Sequence, residues 1–225
     1  MSLHKRFLVS GGSGDIGAAV CVELAARGFV PIVGYHKNMD AAKLIAARTG
    51  GEAIGLDLTS SASILQTCTQ LAESDSILAG VILAGSPPPS LGPFGKISEQ
   101  ELQLQLQVNV LGPQLLLANI VRNCFRKVKQ GTVVGVLTQA MGNQIGNAAA
   151  GMGAYVIAKY GQAGLLAALA ADYPWLRVGA VHPGYTETRM LKVFDERFLA
   201  AKRESVCFSS PADVATTIVK EALGS

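Results

Sequence analysis

The sequence predicts an α/β fold, a single doubly wound domain in which a parallel sheet of six strands is covered by helices on both faces. Three observations carry that expectation. Short β-branched runs alternate with helix-like segments along the chain; the strand segments are apolar, as strands covered on both faces are; and a glycine-rich turn follows the first strand. At 225 residues, with no long polar linker, internal repeat or low-complexity tract, residues 1–225 fit one domain with a substantial core.

Arg6–Ser10 is expected to be the opening strand, residues 16–27 a helix, Val30–Tyr35 the second strand and residues 40–48 a helix. Residues 53–56, 77–84 and 132–137 read as further strands, with helices over 61–72 and 99–129 between them. Arg177–Val181 closes the sheet, and helical patterns follow at 195–203 and Pro211–Leu223.

Composition excludes several classes. A net charge of +3 with no Lys/Arg stripe points away from nucleic acid. The longest uncharged stretch, 130–158, is broken by Gly, Asn and Gln, so no membrane span is expected. The N-terminus runs into an apolar segment too short for a signal peptide, and a cytoplasmic protein is expected. Cys21, Cys68, Cys124 and Cys207 are far apart with no His placed beside them; they read as buried reduced thiols, with no metal site.

Two stretches carry chemistry. Tyr155-Val-Ile-Ala-Lys159 puts a phenol and an amine on one helix face, and an ammonium beside a phenol favours the phenolate, so the pair is a candidate general acid/base. Chance pairing on an amphipathic helix is the alternative. Ser10-Gly-Gly-Ser-Gly-Asp-Ile-Gly17 lies between the first strand and its helix, where backbone N–H groups can take a pyrophosphate; a ligand-free tight turn is the alternative. After the second strand stand Tyr35-His-Lys-Asn38 and no carboxylate, so His36 and Lys37 favour NADP(H) over NAD(H), unless they are solvated surface residues. Asp57 can accept from an adenine amino group, or simply occupy a turn.

The chain resembles the short-chain dehydrogenase/reductase family, and within it the bacterial 3-oxoacyl-[acyl-carrier-protein] reductase branch. The resemblance rests on Ser10-Gly11-x-x-x-Asp15-Ile16-Gly17, Asp57, Asn109-Val-Leu-Gly112, Tyr155-x-x-x-Lys159 and Pro183-Gly184-Tyr-Thr-Glu-Thr188. It implies a Rossmann-type domain in which Tyr155 gives a proton to a carbonyl oxygen. Lys159 would lower the pKa of Tyr155 and bind the nicotinamide ribose, and Asn109 would fix a relay water. Thr138 falls where the family carries a serine and can donate a similar hydrogen bond, if the alignment does not slip. Gly11, Ser13, Asp15, Ile16, Gly17, Asp57, Leu58, Ala84, Gly85, Pro183, Gly184, Thr186 and Thr188 would border the cofactor.

Departures from the family set further expectations. Asp15 replaces a glycine, so its carboxylate must turn away from the pyrophosphate. Val81 to Gly85 lacks the family's two asparagines, and Gly14 stands where NADPH-dependent members often carry a basic residue. The loop over 139–154 is about four residues longer than usual, which reshapes the substrate pocket. Function is therefore expected to be NADPH-dependent reduction of a 3-oxoacyl thioester on acyl carrier protein or CoA. A sugar, steroid or other small carbonyl compound is the alternative substrate, and a non-catalytic nucleotide-binding subunit the alternative class. Arg126-Lys-Val-Lys129 resembles a carrier-protein docking patch, or is a helix C-terminus suited to cations. The family's seventh strand is missing from this sequence, so a homodimer is expected through the long helix and the Tyr155 helix. Gly161, Ala163, Gly164, Ala167, Ala168 and Ala171 would allow close approach, with Leu102, Leu106, Leu116 and Leu117 supplying apolar area.

Overall fold

Six parallel strands lie in the order β3-β2-β1-β4-β5-β6. They are β1 (Arg6–Ser10), β2 (Val30–Tyr35), β3 (Glu52–Gly55), β4 (Leu78–Leu83), β5 (Thr132–Val136) and β6 (Arg177–Val181). The computed structural model describes residues 5–144 and 146–224. Residues 1–4, in which no signal sequence is expected, Ile145 of the long loop and Ser225 lie outside the described residues. The order places β1 beside both β2 and β4, so the sheet's topological switch point, where such folds bind ligands, is at the carboxyl ends of β1 and β4.

Period-two alternation within uniformly apolar strands explains the two layers. Phe7 and Val9 of β1, Ile82 of β4 and Val134 and Val136 of β5 face one side, where they meet Val20 and Leu24 of α1 (Asp15–Ala26), Ala42 of α2 (Met39–Thr49) and Ile218 of α7 (Pro211–Leu223). Leu8, Val81, Leu83 and Val133 face the other. There they pack with Ile64 and Leu71 of α3 (Ser61–Glu73), Leu116, Ile120 and Phe125 of α4 (Glu99–Val128) and Leu166 of α5 (Gly153–Asp172). A sixth helix, α6 (Glu196–Ser205), stands apart from both layers over the carboxyl end of the sheet.

Side-chain caps start α2 (Asn38), α3 (Ser60), α4 (Ser98), α6 (Asp195) and α7, where Ser210 and Asp213 form a reciprocal capping box. Helix α1 has none: Gly14 precedes it and leaves its first N–H groups without a side-chain acceptor. Helix α4 contains two π-turns, Gln107–Leu111 and Val121–Phe125, the first carrying Asn109. The sequence periodicity did not anticipate these, nor the 3-10 turns Phe94–Lys96, Gln139–Met141 and Arg189–Val193. A single turn of helix is too short to leave a periodic signature.

By length and composition α4 and α5 are apolar enough to cross a bilayer, but part of that apolarity is sheet packing. Leu116 and Leu117, expected at a dimer interface, are core residues instead, because their face of α4 packs in the apolar layer with Ile64 and Cys68 of α3 and the strand residues Leu83 and Val133. Gly161 likewise serves the monomer: a Cβ there would lie 2.8 Å from Val110 Cγ2 of α4. Cys21 and Cys68 are buried and Cys124 half-buried, and burial pushes the Cys21 and Cys68 thiols up to about 12; Cys207, contrary to expectation, is exposed.

Candidate active site

The glycine loop is shaped by backbone crowding. Gly11 adopts φ +65°, and a Cβ on it would lie 2.6 Å from Gly85 Cα, across the gap between β1 and β4. Gly12 N–H donates to Val9 O (3.1 Å) and Gly34 O (2.8 Å), and a Cβ on Gly17 would collide with Gly11 O. The Ser10 hydroxyl accepts from Gly85 N–H at 3.3 Å, joining the two strand ends where the family's asparagines are replaced by buried Ile82 and Leu83. This cradle, together with the uncapped N–H groups of α1, fits a dinucleotide diphosphate. Asp15 does not oppose it: Arg189 takes the carboxylate through its backbone N–H (2.7 Å to Oδ2) and Nε (2.9 Å to Oδ1).

At the ends of β2 and β3 the picture differs from the expectation of two independent groups. His36 Nε2 lies 3.4 Å from Asp57 Oδ2, while Asp57 Oδ1 accepts from the N–H and hydroxyl of Thr59 at 2.8 and 2.7 Å. Burial works against the Asp57 charge, but the Thr59 hydrogen bonds and the His36 and Lys37 charges outweigh it and hold the carboxyl below its ordinary value. Lys37 is exposed and Leu58 is buried, with its carbonyl against Gly112 and accepting from Gln107 Nε2 at 3.4 Å.

Beyond the ends of β4 and β5 opens a cleft of about 320 Å³. It brings together Thr138, Tyr155, Lys159, Ile16, Ala84, Pro183, Gly184, Thr186 and Thr188, which the sequence scatters over more than 170 positions. Its far wall is apolar, with Pro89, Ala149, Met152, Met190, Leu191 and Phe194, and among the described residues Lys159 is its only charged side chain. Ala149 and Met152 come from the long 139–154 loop, tied down by Ala149 N–H to Ala140 O (2.8 Å) and by Tyr160 hydroxyl to Met141 O (2.8 Å). Phe194 and Tyr185 belong to an aromatic cluster beside that wall, in which Tyr185 stacks on Phe208 (centroids 4.9 Å) and Phe194 on Phe198 (5.4 Å).

The Tyr155 phenol is not lowered by its lysine. Burial raises its pKa, and a hydrogen bond with the Thr138 side chain pulls the other way without overcoming it. Lys159 points elsewhere: Nζ donates to Val136 O (2.7 Å) and Gln162 Oε1 (3.0 Å) and sits 5.7 Å from the centre of the Tyr155 ring. Burial without a counter-charge brings that amine down to about 7. Between pH 10.5 and 7 the unfolded chain therefore holds a proton that the folded chain does not, so stability is highest above this window and falls as pH is lowered through it. Lys159→Met is expected to remove that slope, which denaturant midpoints measured at several pH values would reveal.

Asn109 lies behind the cleft. Its Nδ2 donates to Gln105 O (3.0 Å) and Gln105 Oε1 (3.1 Å), and Gln105 Nε2 reaches Pro88 O at 3.0 Å. Asn109 Oδ1 has no hydrogen-bond partner among the described residues, as suits an atom that binds an internal water. Sequence reasoning missed Gln105, Gln162 and Arg189. The available signal was for Gln162 alone, an amide one helical turn from Lys159 ahead of a run of small and apolar residues; Gln105 stands among Gln100, Gln103 and Gln107 and is not set apart by sequence.

A family profile described as short chain dehydrogenase matches residues 5–197. The chain belongs to that family. A short-chain dehydrogenase is an oxidoreductase that works between a nicotinamide dinucleotide and a carbonyl–hydroxyl pair, and the cradle and cleft accommodate both. Among short-chain dehydrogenases and their structural neighbours, an acetoacetyl-CoA reductase from Shinella zoogloeoides is 28% identical over 199 residues, 88% of this chain and 80% of its own. A short chain dehydrogenase from Burkholderia cenocepacia in complex with NADP is 25% identical, with TM-score 0.83 over 98% of this chain and 91% of its own. The 3-ketoacyl-(acyl-carrier-protein) reductase from Brucella melitensis, complexed with NADH, shares the fold at TM-score 0.87 and 17% identity, over 98% and 92% of the two chains.

Proposed function

We propose that this short-chain dehydrogenase is an NADPH-dependent carbonyl reductase whose substrate is a 3-oxoacyl thioester. The observation that carries the reading is the placement of Thr138, Tyr155 and buried Lys159 at the foot of an apolar cleft that opens beside the glycine cradle. The nicotinamide dinucleotide supplies the hydride. Burial keeps the Tyr155 phenol protonated through neutral pH, ready to protonate the carbonyl oxygen as charge builds on it. The Thr138 oxygen accepts from Ala140 N–H at 3.1 Å, so its proton, shared with Tyr155, is the one that turns to hydrogen-bond the same carbonyl. Lys159, through the N–H that Val136 O and Gln162 leave free, would hold the nicotinamide ribose, and Asn109 Oδ1 would hold a water for reprotonation.

The uncharged far wall suits an acyl chain and disfavours a phosphorylated sugar. An acetoacetyl-CoA reductase among the relatives is a precedent for a thioester substrate. Exposed Arg126, Lys127 and Lys129 at the end of α4 offer an acidic carrier protein a docking surface. The same wall also admits an apolar ketone, so the test is a panel of 3-oxoacyl thioesters on carrier protein and on CoA, simple ketones and sugars, followed by NADPH absorbance. Preference for a ketone would replace the thioester, and dinucleotide binding with no turnover anywhere would favour a non-catalytic subunit.

For the cofactor, His36 and Lys37 in a segment, Tyr35–Asn38, that carries no carboxylate of its own support NADPH, with Asp57 against His36. Lys37→Glu is expected to shift the NADPH-to-NADH affinity ratio by about tenfold toward NADH, because a carboxylate would face the 2′-phosphate. Equal affinities of the wild type for both cofactors in a fluorescence titration would remove the assignment. For assembly, α4 and α5 expose Leu104, Leu111, Ile157 and Tyr160, and Gly164, Ala167 and Ala168 lie on the exposed side of α5. These faces support a two-fold dimer. Ala168→Arg is expected to lower the mass measured by light scattering from dimer to monomer; an unchanged dimer would place the interface elsewhere.

A further inference from the structure

The residue that most conflicts with its surroundings is Gln162. It is fully buried on α5, one turn beyond Lys159, in a segment otherwise made of small and apolar residues. A buried amide is costly unless it is paired. Its Oε1 accepts from Lys159 Nζ at 3.0 Å, while its Nε2 has no partner among the described residues. Leucine would fill the same space without that cost, so packing does not account for the amide.

We propose that Gln162 is a positioning residue for proton transfer: its Oε1, together with Val136 O, fixes the Lys159 amine behind Tyr155 and favours its charged form. This rests on the roles proposed above for Tyr155 and Lys159. Two of the three ammonium N–H groups are engaged, at 2.7 and 3.0 Å, which leaves one for the cleft. The groups facing the amine from each neighbouring element make the neutral acceptors decisive. Val136 on β5 offers a carbonyl, Tyr155 shares α5, and Tyr185 is the remaining titratable group in the cleft wall; among the described residues no carboxylate lines it. With burial holding the amine near 7, a change in one acceptor alters its charge at working pH.

The test compares wild type with Gln162→Leu and Gln162→Glu, both close to the original in size. Lys159 is titrated through its ε-carbon by NMR of 13C-lysine-labelled protein, assigned with Lys159→Met. Its pKa is expected to fall by about one unit in Gln162→Leu and to rise by at least as much in Gln162→Glu. In Gln162→Leu, kcat for carbonyl reduction at neutral pH is expected to drop about three- to tenfold with KM unchanged. The deficit should shrink as pH is lowered and the ammonium is restored, and Gln162→Glu should recover the rate. An unchanged Lys159 pKa in Gln162→Leu, or a deficit independent of pH, would overturn the proposal. If Gln162→Leu does not fold, Gln162→Met takes its place with the same expectations. The NMR titration reads the Gln162–Lys159 contact without turnover, so failure of the proposed reaction is distinguishable from failure of this inference.

Discussion

Tyr155→Phe is expected to lower kcat for carbonyl reduction by about 10³ while leaving dinucleotide affinity within about twofold. The ring is buried at 6% exposure and a phenylalanine retains its packing, so what is lost is the proton donor and its hydrogen bond with Thr138. Absorbance at the NADPH band measures the first quantity and a fluorescence titration the second; turnover within tenfold of wild type would end the assignment. The Thr138 variants refine it. Thr138→Ser keeps both the acceptor for Ala140 N–H and the hydroxyl proton, and should remain active. Thr138→Val loses both and should fall about tenfold or more.

Gly17→Ala is expected to weaken dinucleotide binding by about 100-fold and to destabilise the protein by about 2 kcal/mol. One methyl suffices because the space it needs is occupied by backbone: Gly11 O, with Gly12 Cα at 2.8 Å and Gly11 C at 2.9 Å. A side chain could rotate away from the intrusion, but the loop must open, and opening it moves the N–H groups that form the cradle. Titration of NADPH and a denaturant midpoint test the two effects together. Wild-type values for both would mean that the loop does not hold the diphosphate.

The fold was legible because it depends on local patterns that repeat. Leu8 and Val9, or Val133 and Val134, could be placed on opposite faces from alternation alone, and the strands fall within one residue or so of where the apolar runs put them. Helix starts at Ser98, Asp195 and Ser210 were written in single capping residues. The 16–27 helix starts one residue earlier, at Asp15, and lacks such a cap.

The dimer faces and the charge state of the site were less legible. Leu116 and Leu104 lie about a third of a turn apart on the helix, but periodicity does not say which face meets the sheet and which meets solvent: Leu116 is in the core and Leu104 is exposed. Tyr155 and Lys159 were recognisable as a pair from their spacing, but spacing does not say where a four-carbon side chain points. Val136 O and Gln162 turn the amine away from the phenol hydroxyl, and burial reverses the expected direction of the tyrosine's shift.

By itself, then, the sequence determined the apolar strands, the glycine turn and the Tyr155–Lys159 pairing on one helix, since each follows from residue type and spacing over a few positions. Tertiary structure alone decided the partners of charge. Arg189 meets Asp15 across 174 positions, His36 meets Asp57 across two strand ends, and Gln162 meets Lys159 inside a dry interior. Electrostatic energies depend on distance in space and on the water excluded around the charges, neither of which is a function of separation along the chain.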